Sequence, residues 1–241
     1  MNDLMSLGIH RLWKDYFVRS LNPGFGSSPT PSTGPSCPGW SILDIAGGTG
    51  DIAFRLLDHA HNINHSPQTA VTVADINPSM LSEGKKRALT TPWAKSPSLS
   101  FLLADAEKLD SIPSDSIDLY TVAFGIRNFT NKEVALREAF RVLKPGGVFA
   151  CLEFSDVTNL LFNAVYKRWS FGAIPLIGQL VAGDRASYQY LVESIDKFPS
   201  QKDFRDMIVG AGFMAPGEGW ENLTGGIASI HKGVKPVRQR S

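Results

Sequence analysis

The chain has 241 residues, 43% of them hydrophobic, and a formal net charge of +1. That balance allows one large domain or two small ones and leaves no electrostatic footprint for nucleic acid. Two cysteines, Cys37 and Cys151, make no disulfide framework and fit a reducing compartment. The sequence shows no secretory signal pattern and no apolar run of eighteen residues.

Residues 1–17 carry Leu12, Trp13, Tyr16 and Phe17 and predict a short amphipathic helix. His10 and Trp13 could reach a ligand, but the pattern favours a solvated histidine and a core tryptophan. Residues 22–39, rich in Pro, Ser and Gly, predict a flexible surface loop.

The stretch 41–53, SILDIAGGTGDIA, is the one around which the rest of the chain is organised. Ile42, Leu43 and Ile45 fit a buried strand, and Gly47, Gly48 and Gly50 a loop nearly free of side chains. From Asp51 the period becomes helical, with Ala53, Leu56, Leu57 and Ala60 at i, i+3, i+4 and i+7. This is the first half of a nucleotide-binding βαβ unit, whose bare turn lets a ligand approach N–H groups at the helix start. Gly48, Gly50 and Ala53 also satisfy the relaxed dinucleotide pattern, so the loop alone does not name the ligand.

A second strand at 70–74 ends on Asp75, the spacing at which an acid takes ribose hydroxyls. The competing role for Asp75 is a capping carboxylate. Asn77 and Pro78 read as N-cap and N1 of a helix. A third strand, 100–104, ends in Asp105 and Ala106, where an acid could bond an adenine amino group. A fourth, 117–124, leads into Gly125, Ile126, Arg127, Asn128 and Phe129. Ligands in open α/β sheets lie outside the carboxyl ends of strands, so Arg127 and Asn128 stand where chemistry would occur. A lone arginine there is more often paired with a carboxylate.

Residues 133–143 predict a helix with Leu136, Ala139, Phe140 and Leu143 on one face, ended by KPGG at 144–147. Residues 148–154 predict the fifth strand. Residues 157–186 are dense in large apolar groups, with Lys167, Arg168 and Pro175 interrupting any membrane span. They read as a helical cap or as a lid over an apolar substrate. A helix at 204–212, a last strand at 225–231 and a basic disordered tail at 235–241 complete the chain.

The combination LDIAGGTGD, ADINPSML, ADAEKL, VAFGIRNF, RVLKPGGVFACLEFS and SYQYLVESI is far more specific than any one motif. It resembles the class I S-adenosylmethionine (SAM) methyltransferases, and closely the UbiE-type ubiquinone/menaquinone biosynthesis C-methyltransferases, with features of the mitochondrial branch. The resemblance implies an α/β fold. It would be a single domain over 1–234 with a seven-stranded, mostly parallel sheet, helices on both faces and a lid insertion. It implies SAM as cofactor, held by Gly48, Thr49, Gly50, Asp75, Asp105 and Ala106, with no metal. Many members carry serine where this chain has Ala123, so one cofactor contact is expected to be missing.

The implied reaction is C-methylation of 2-methoxy-6-polyprenyl-1,4-benzoquinol, with Arg127 and Asn128 as catalytic residues. Arg127 would stabilise a ring phenolate and Asn128 would orient its oxygen or a water. A water relay could carry the proton to Asp105 or a histidine. The expected partners are a lipid surface, a ubiquinone-biosynthesis complex and a second copy of the chain, in the mitochondrial matrix against the inner membrane. The start MNDLMSLG is expected to be an internal methionine of a longer, targeted protein. Two other readings are a non-catalytic scaffold of the same pathway and an NAD-dependent oxidoreductase.

Overall fold

The computed structural model describes residues 8–26, 39–155, 190 and 193–237. The apolar insertion at 157–186, most of the loop at 22–39 and the end of the tail lie outside them. The order of elements is α1 (His10–Leu21), β1 (Ser41–Ile45), α2 (Asp51–Asp58), β2 (Ala70–Asp75), α3 (Pro78–Ala88), β3 (Leu99–Leu103) and β4 (Ile117–Ala123). There follow α4 (Lys132–Val142), β5 (Leu143–Phe154), α5 (Gln201–Gly210), β6 (Trp220–Leu223) and β7 (Ala228–Val234). The seven strands form one sheet in the order β3-β2-β1-β4-β5-β7-β6. β1 to β5 pair in parallel, and β7 runs antiparallel between β5 and β6.

A parallel sheet needs cover on both faces, so its strands are apolar on both sides. Ile42 and Leu43 show this: one packs with Trp13, Phe17, Leu56 and Leu57, the other with Tyr120, Leu136, Phe149 and Phe204. Helices α1, α2 and α3 therefore cover one face, and α4 and α5 the other. Each fully buried aromatic such as Phe17 contributes about 1.5–3 kcal/mol of burial. The indole N–H of Trp13 donates to Thr224 Oγ1 at 2.9 Å and ties α1 to the segment before β7. His10 is buried, which corrects the solvated histidine expected from sequence.

Among the described residues the first helix, His10–Leu21, holds Leu12, Trp13, Tyr16 and Phe17 as expected and continues four residues past Phe17. Two further expectations shift. β5 begins at Leu143, so the KPGG stretch lies inside it instead of between helix and strand. Gly146 at φ +84 and a register shift between Ile117 and Leu119 absorb that irregularity. β6 (WENL) is an addition to the expected strands, because four residues with a polar majority carry no alternation signal.

His231 of β7 is fully buried, with Nε2 at 2.9 Å from the Gln201 carbonyl and its ring edge-on to Phe204. Burial pushes its pKa down from 6.5 to about 4, partly offset by the Gln201 bond. A depressed histidine contributes stability that is complete above its unfolded pKa and is lost as pH falls through the folded one. Between pH 7 and 4 the chain should lose on the order of 2–4 kcal/mol through this group. Urea unfolding at several pH values checks it, and His231→Gln should flatten the profile over that range.

Candidate active site

The carboxyl ends of β1, β2, β3 and β4 open onto two adjoining cavities. The smaller, about 140 Å³, is lined by Asp75, Asp105, Ala106 and Asn128 among others. The larger, about 420 Å³, is lined by Lys14, Asp44, Gly48, Thr49, Asp51, Ala123, Phe124, Arg127 and Asn128 among others. Ala46 and Asn128 belong to both. The fold thus brings together seven of the eight site residues expected from sequence; the eighth, Gly50, is the N-cap of α2 at φ +81.

The glycine turn is more occupied than its sequence promised. Gly48 (φ +54) donates its N–H to Asp75 Oδ2 at 2.9 Å, and Gly50 donates to the Gly47 carbonyl at 2.8 Å. The other carboxylate oxygen of Asp75 accepts from Asn77 N at 2.8 Å. Asp75 therefore does cap backbone, and the same bonds fix its carboxylate at the cavity rim. Thr49 Oγ1 accepts from Arg87 at 2.6 Å. Asp105 turns its own loop by accepting from Glu107 N at 2.9 Å. Asn77 caps α3 as expected, accepting from Ser79 and Met80.

Arg127 is not an isolated cation. Its Nη1 donates to Glu153 Oε1 at 2.6 Å and to the Phe124 carbonyl at 2.6 Å. The two charged side chains are 7% and 0% exposed. The guanidinium lies over the Phe154 ring at 5.7 Å, and Nε has no partner among the described residues. Phe124 is held at φ +57, a strained conformation for a bulky residue that costs on the order of 1–3 kcal/mol. Its ring packs on Phe154 at 4.8 Å, and its N–H donates to the Leu152 carbonyl. In this conformation its carbonyl accepts from Arg127. Asn128 Oδ1 accepts from the Tyr190 hydroxyl at 3.4 Å.

From α1, Lys14 donates to Asp51 Oδ2 at 2.9 Å and lies 5.9 Å from the centre of the Phe124 ring. Burial alone would raise the Asp51 carboxyl, but Lys14, Arg55 and Arg87 hold it below the usual carboxylate range. Sequence reasoning passed over Lys14, Asp44 and Glu153. The available signal was a lone carboxylate inside an apolar strand, as in SILDI and ACLEF, since such groups are rarely buried without a partner or a task.

The family model described as the ubiE/COQ5 methyltransferase family matches residues 1–235. The chain belongs to this family. It is 54% identical over 236 residues to the mitochondrial 2-methoxy-6-polyprenyl-1,4-benzoquinol methylase of Schizosaccharomyces pombe, spanning 98% of this chain and 74% of that one. It is 50% identical over 235 residues to the ubiquinone/menaquinone biosynthesis C-methyltransferase UbiE of Bartonella henselae, spanning 98% and 82%. Among solved structures, a SAM-dependent methyltransferase from Thermotoga maritima superposes with a TM-score of 0.58 at 18% identity, over 94% of this chain and 91% of that one. At that identity the likeness shows the class I fold alone. Membership in the methyltransferase family displaces the oxidoreductase alternative.

Two features of this methyltransferase's cavities fit SAM. Asp44 Oδ2 is a buried carboxylate oxygen with no partner among the described residues, beside the larger cavity, as a cationic ligand requires. Gly48 presents bare backbone where a Cβ would stand 3.1 Å from Met80 Cε. The β1 and β4 loops approach even more closely, since a Cβ on Gly125 would come within 2.5 Å of Ala46 Cβ. Gly125→Ala should therefore push the loops apart, at a cost of about 1–3 kcal/mol. Thermal unfolding should report that loss, with a weaker grip on the cofactor in calorimetry.

Proposed function

We propose that this methyltransferase transfers a methyl group from SAM to a ring carbon of 2-methoxy-6-polyprenyl-1,4-benzoquinol in ubiquinone biosynthesis. The observation that carries the reading is 54% identity to the S. pombe methylase over 98% of the chain. SAM supplies an electrophilic methyl group on a sulfonium. The chain's task is to hold the ring carbon in line with it and to raise electron density there. A ring hydroxyl titrates near 10, like tyrosine, so its phenolate needs help at neutral pH.

Arg127 provides that help in our reading. Glu153 balances its charge, so it acts through fixed N–H donors more than through a bare positive charge. Arginine holds its proton too firmly to be the base. Asn128, steadied by Tyr190, orients the ring oxygen or a water. Asp105 lines the same small cavity as Asn128. On the cofactor side, Asp75 takes the ribose hydroxyls and Asp105 with Ala106 the adenine. Ala123 leaves one contact unmade.

We place the enzyme in the mitochondrial matrix, peripheral on the inner membrane and within a multi-enzyme complex, with a second copy of the chain as a further candidate partner. No helix among the described residues is long and apolar enough to cross a membrane. A polyprenyl quinol must be received from lipid, and the apolar stretch from Leu160 to Leu180 is our candidate contact. Loss of liposome flotation in Trp169→Ser, Phe171→Ser and Ile174→Ser together, in folded protein, supports that surface.

The deciding experiment combines calorimetry of SAM binding with turnover on a short-tailed quinol analogue, the product being weighed by mass spectrometry. Binding together with a methylated ring carbon supports the proposal. SAM binding without product leaves a scaffold, and no SAM binding overturns the reading.

A further inference from the structure

Glu153 is the one carboxylate in the apolar end of β5, ACLEF, and its side chain is fully buried. Its Oε1 accepts from Arg127 Nη1 at 2.6 Å and from Phe154 N at 2.9 Å. Its Oε2 accepts from Arg127 N at 3.4 Å. The carboxylate therefore holds Arg127 by side chain and backbone together. The register allows this, since Ala123 of β4 stands beside Leu152 of β5 and the chain leaving β4 starts next to Glu153.

A guanidinium carries five N–H donors in one rigid plane. Both hydrogens of Arg127 Nη1 are taken, one by Glu153 and one by the Phe124 carbonyl at 2.6 Å. Among the described residues Nε is buried without a partner and Nη2 has no hydrogen bond. The edge from Nε to Nη2 is thus the free one, a pair of parallel donors, and Arg127 lines the larger cavity. Other ionisable groups surround the pair. Lys14 of α1 is bonded to Asp51 of α2. Asp44 of β1 lines the same cavity, its carboxyl pushed up to about 7 by burial. Burial, then Glu153, push the Cys151 thiol of β5 well above its ordinary value, against the pull of Arg127. Burial brings His231 of β7 down to about 4. The Tyr190 hydroxyl meets Asn128. All of these are common to wild type and the variants below.

We propose that Glu153 is a positioning residue of the methyl transfer: it fixes which edge of Arg127 meets the ring oxygen and cancels the guanidinium charge, so that aimed donors of a neutral pair hold the phenolate. This rests on the reading of Arg127 and of the quinol above. Glu153 touches no substrate in this account and acts through Arg127 alone. In the step it serves, the ring hydroxyl gives its proton to water. The ring carbon then bonds the methyl group while the S–CH3 bond breaks and sulfur keeps the electron pair. The displaced ring hydrogen leaves as a proton and the oxygen takes one back.

Charge and aim can be separated. Phenolate formation makes the rate of transfer rise with pH to a plateau. Glu153→Gln keeps an acceptor for Nη1 but removes the negative charge, so Arg127 meets the ring oxygen as an uncompensated cation. An opposite charge within reach favours the phenolate, so the rise moves to lower pH, by roughly one to three pH units. Glu153→Asp keeps the charge and draws the carboxylate back by one methylene. The rise then stays where it is, and the plateau falls by about ten- to a hundredfold, as misplacement on the order of 1 Å does.

The test is the single-turnover rate on a short-tailed quinol analogue at saturating SAM, without oxygen, for the full chain and both variants from pH 6 to pH 9. Urea unfolding and calorimetry of SAM run beside it. We expect the shifted rise in Glu153→Gln, the lowered plateau at an unmoved rise in Glu153→Asp, and SAM affinity near wild type in both. A merely structural Glu153 would cost both variants stability and leave the rate of the folded fraction, with its pH profile, at the wild-type level; that result overturns the proposal. A fall in SAM affinity with an unchanged rate at saturation also overturns it, by giving the free edge of Arg127 to the cofactor. Should Glu153→Gln fail to fold, the plateau of Glu153→Asp decides alone. Absence of methylated product from the wild type overturns instead the reading beneath the proposal.

Discussion

Arg127→Ala should abolish most turnover and destabilise the fold at the same time. Loss of a preorganised donor in the transition state lowers kcat by on the order of a hundredfold or more. The truncation also strands Glu153, which is fully buried, without its partner at 2.6 Å. An uncompensated buried charge of this kind costs about 3–5 kcal/mol. The two effects can be separated. Arg127→Met with Glu153→Leu removes both charges and should restore most of the stability in urea, because the Coulombic gain of a buried pair roughly balances its desolvation. Activity should not return. Recovery of both would make Arg127 a purely structural residue, and recovery of neither would point to damage at the Phe124 backbone. Cofactor affinity of the double variant should stay near wild type, since the proposed cofactor contacts lie at Asp75, Asp105 and Ala106.

Asp75→Ala should weaken SAM binding by about 1.5–3 kcal/mol, the range for hydrogen bonds to a charged group, which is roughly 10- to 150-fold in Kd. Part of the loss is direct, through the two ribose hydroxyls. Part comes through the turn, because Asp75 also holds Gly48 N at 2.9 Å and Asn77 N at 2.8 Å. Asp75→Asn offers a finer probe: its amide oxygen can still accept one backbone bond, but the second position becomes a donor facing a donor. It should fall between wild type and alanine. Calorimetry measures both variants, and an unchanged affinity in Asp75→Ala would remove the residue from the cofactor site.

The two cavities explain why several of these residues are legible without any fold in hand. Strand, glycine turn and helix are local patterns, and the period of Ala53, Leu56, Leu57 and Ala60 is written into consecutive residues. In a parallel sheet every strand points its carboxyl end the same way, so Asp75 at the end of one strand and Asp105, Arg127 and Asn128 just past two others were bound to converge. The alternation of Ile42 and Leu43 between two cores follows from the two-residue period of a strand. That much, with the family, the sequence determined by itself.

What it could not determine was pairing across the sheet. Arg127 and Glu153 are 26 residues apart, and only the parallel register of β4 with β5 makes them neighbours. Asp44 meets Thr121 across 77 residues for the same reason, through β1 and β4. Lys14 reaches the site because α1 packs over α2, a contact that no local period encodes. A sequence records which side chains a strand carries and which face each takes. Burial and the identity of the neighbour decide whether a carboxylate is a cap, a counter-ion or an unpartnered charge, and those arise only when distant strands are laid side by side.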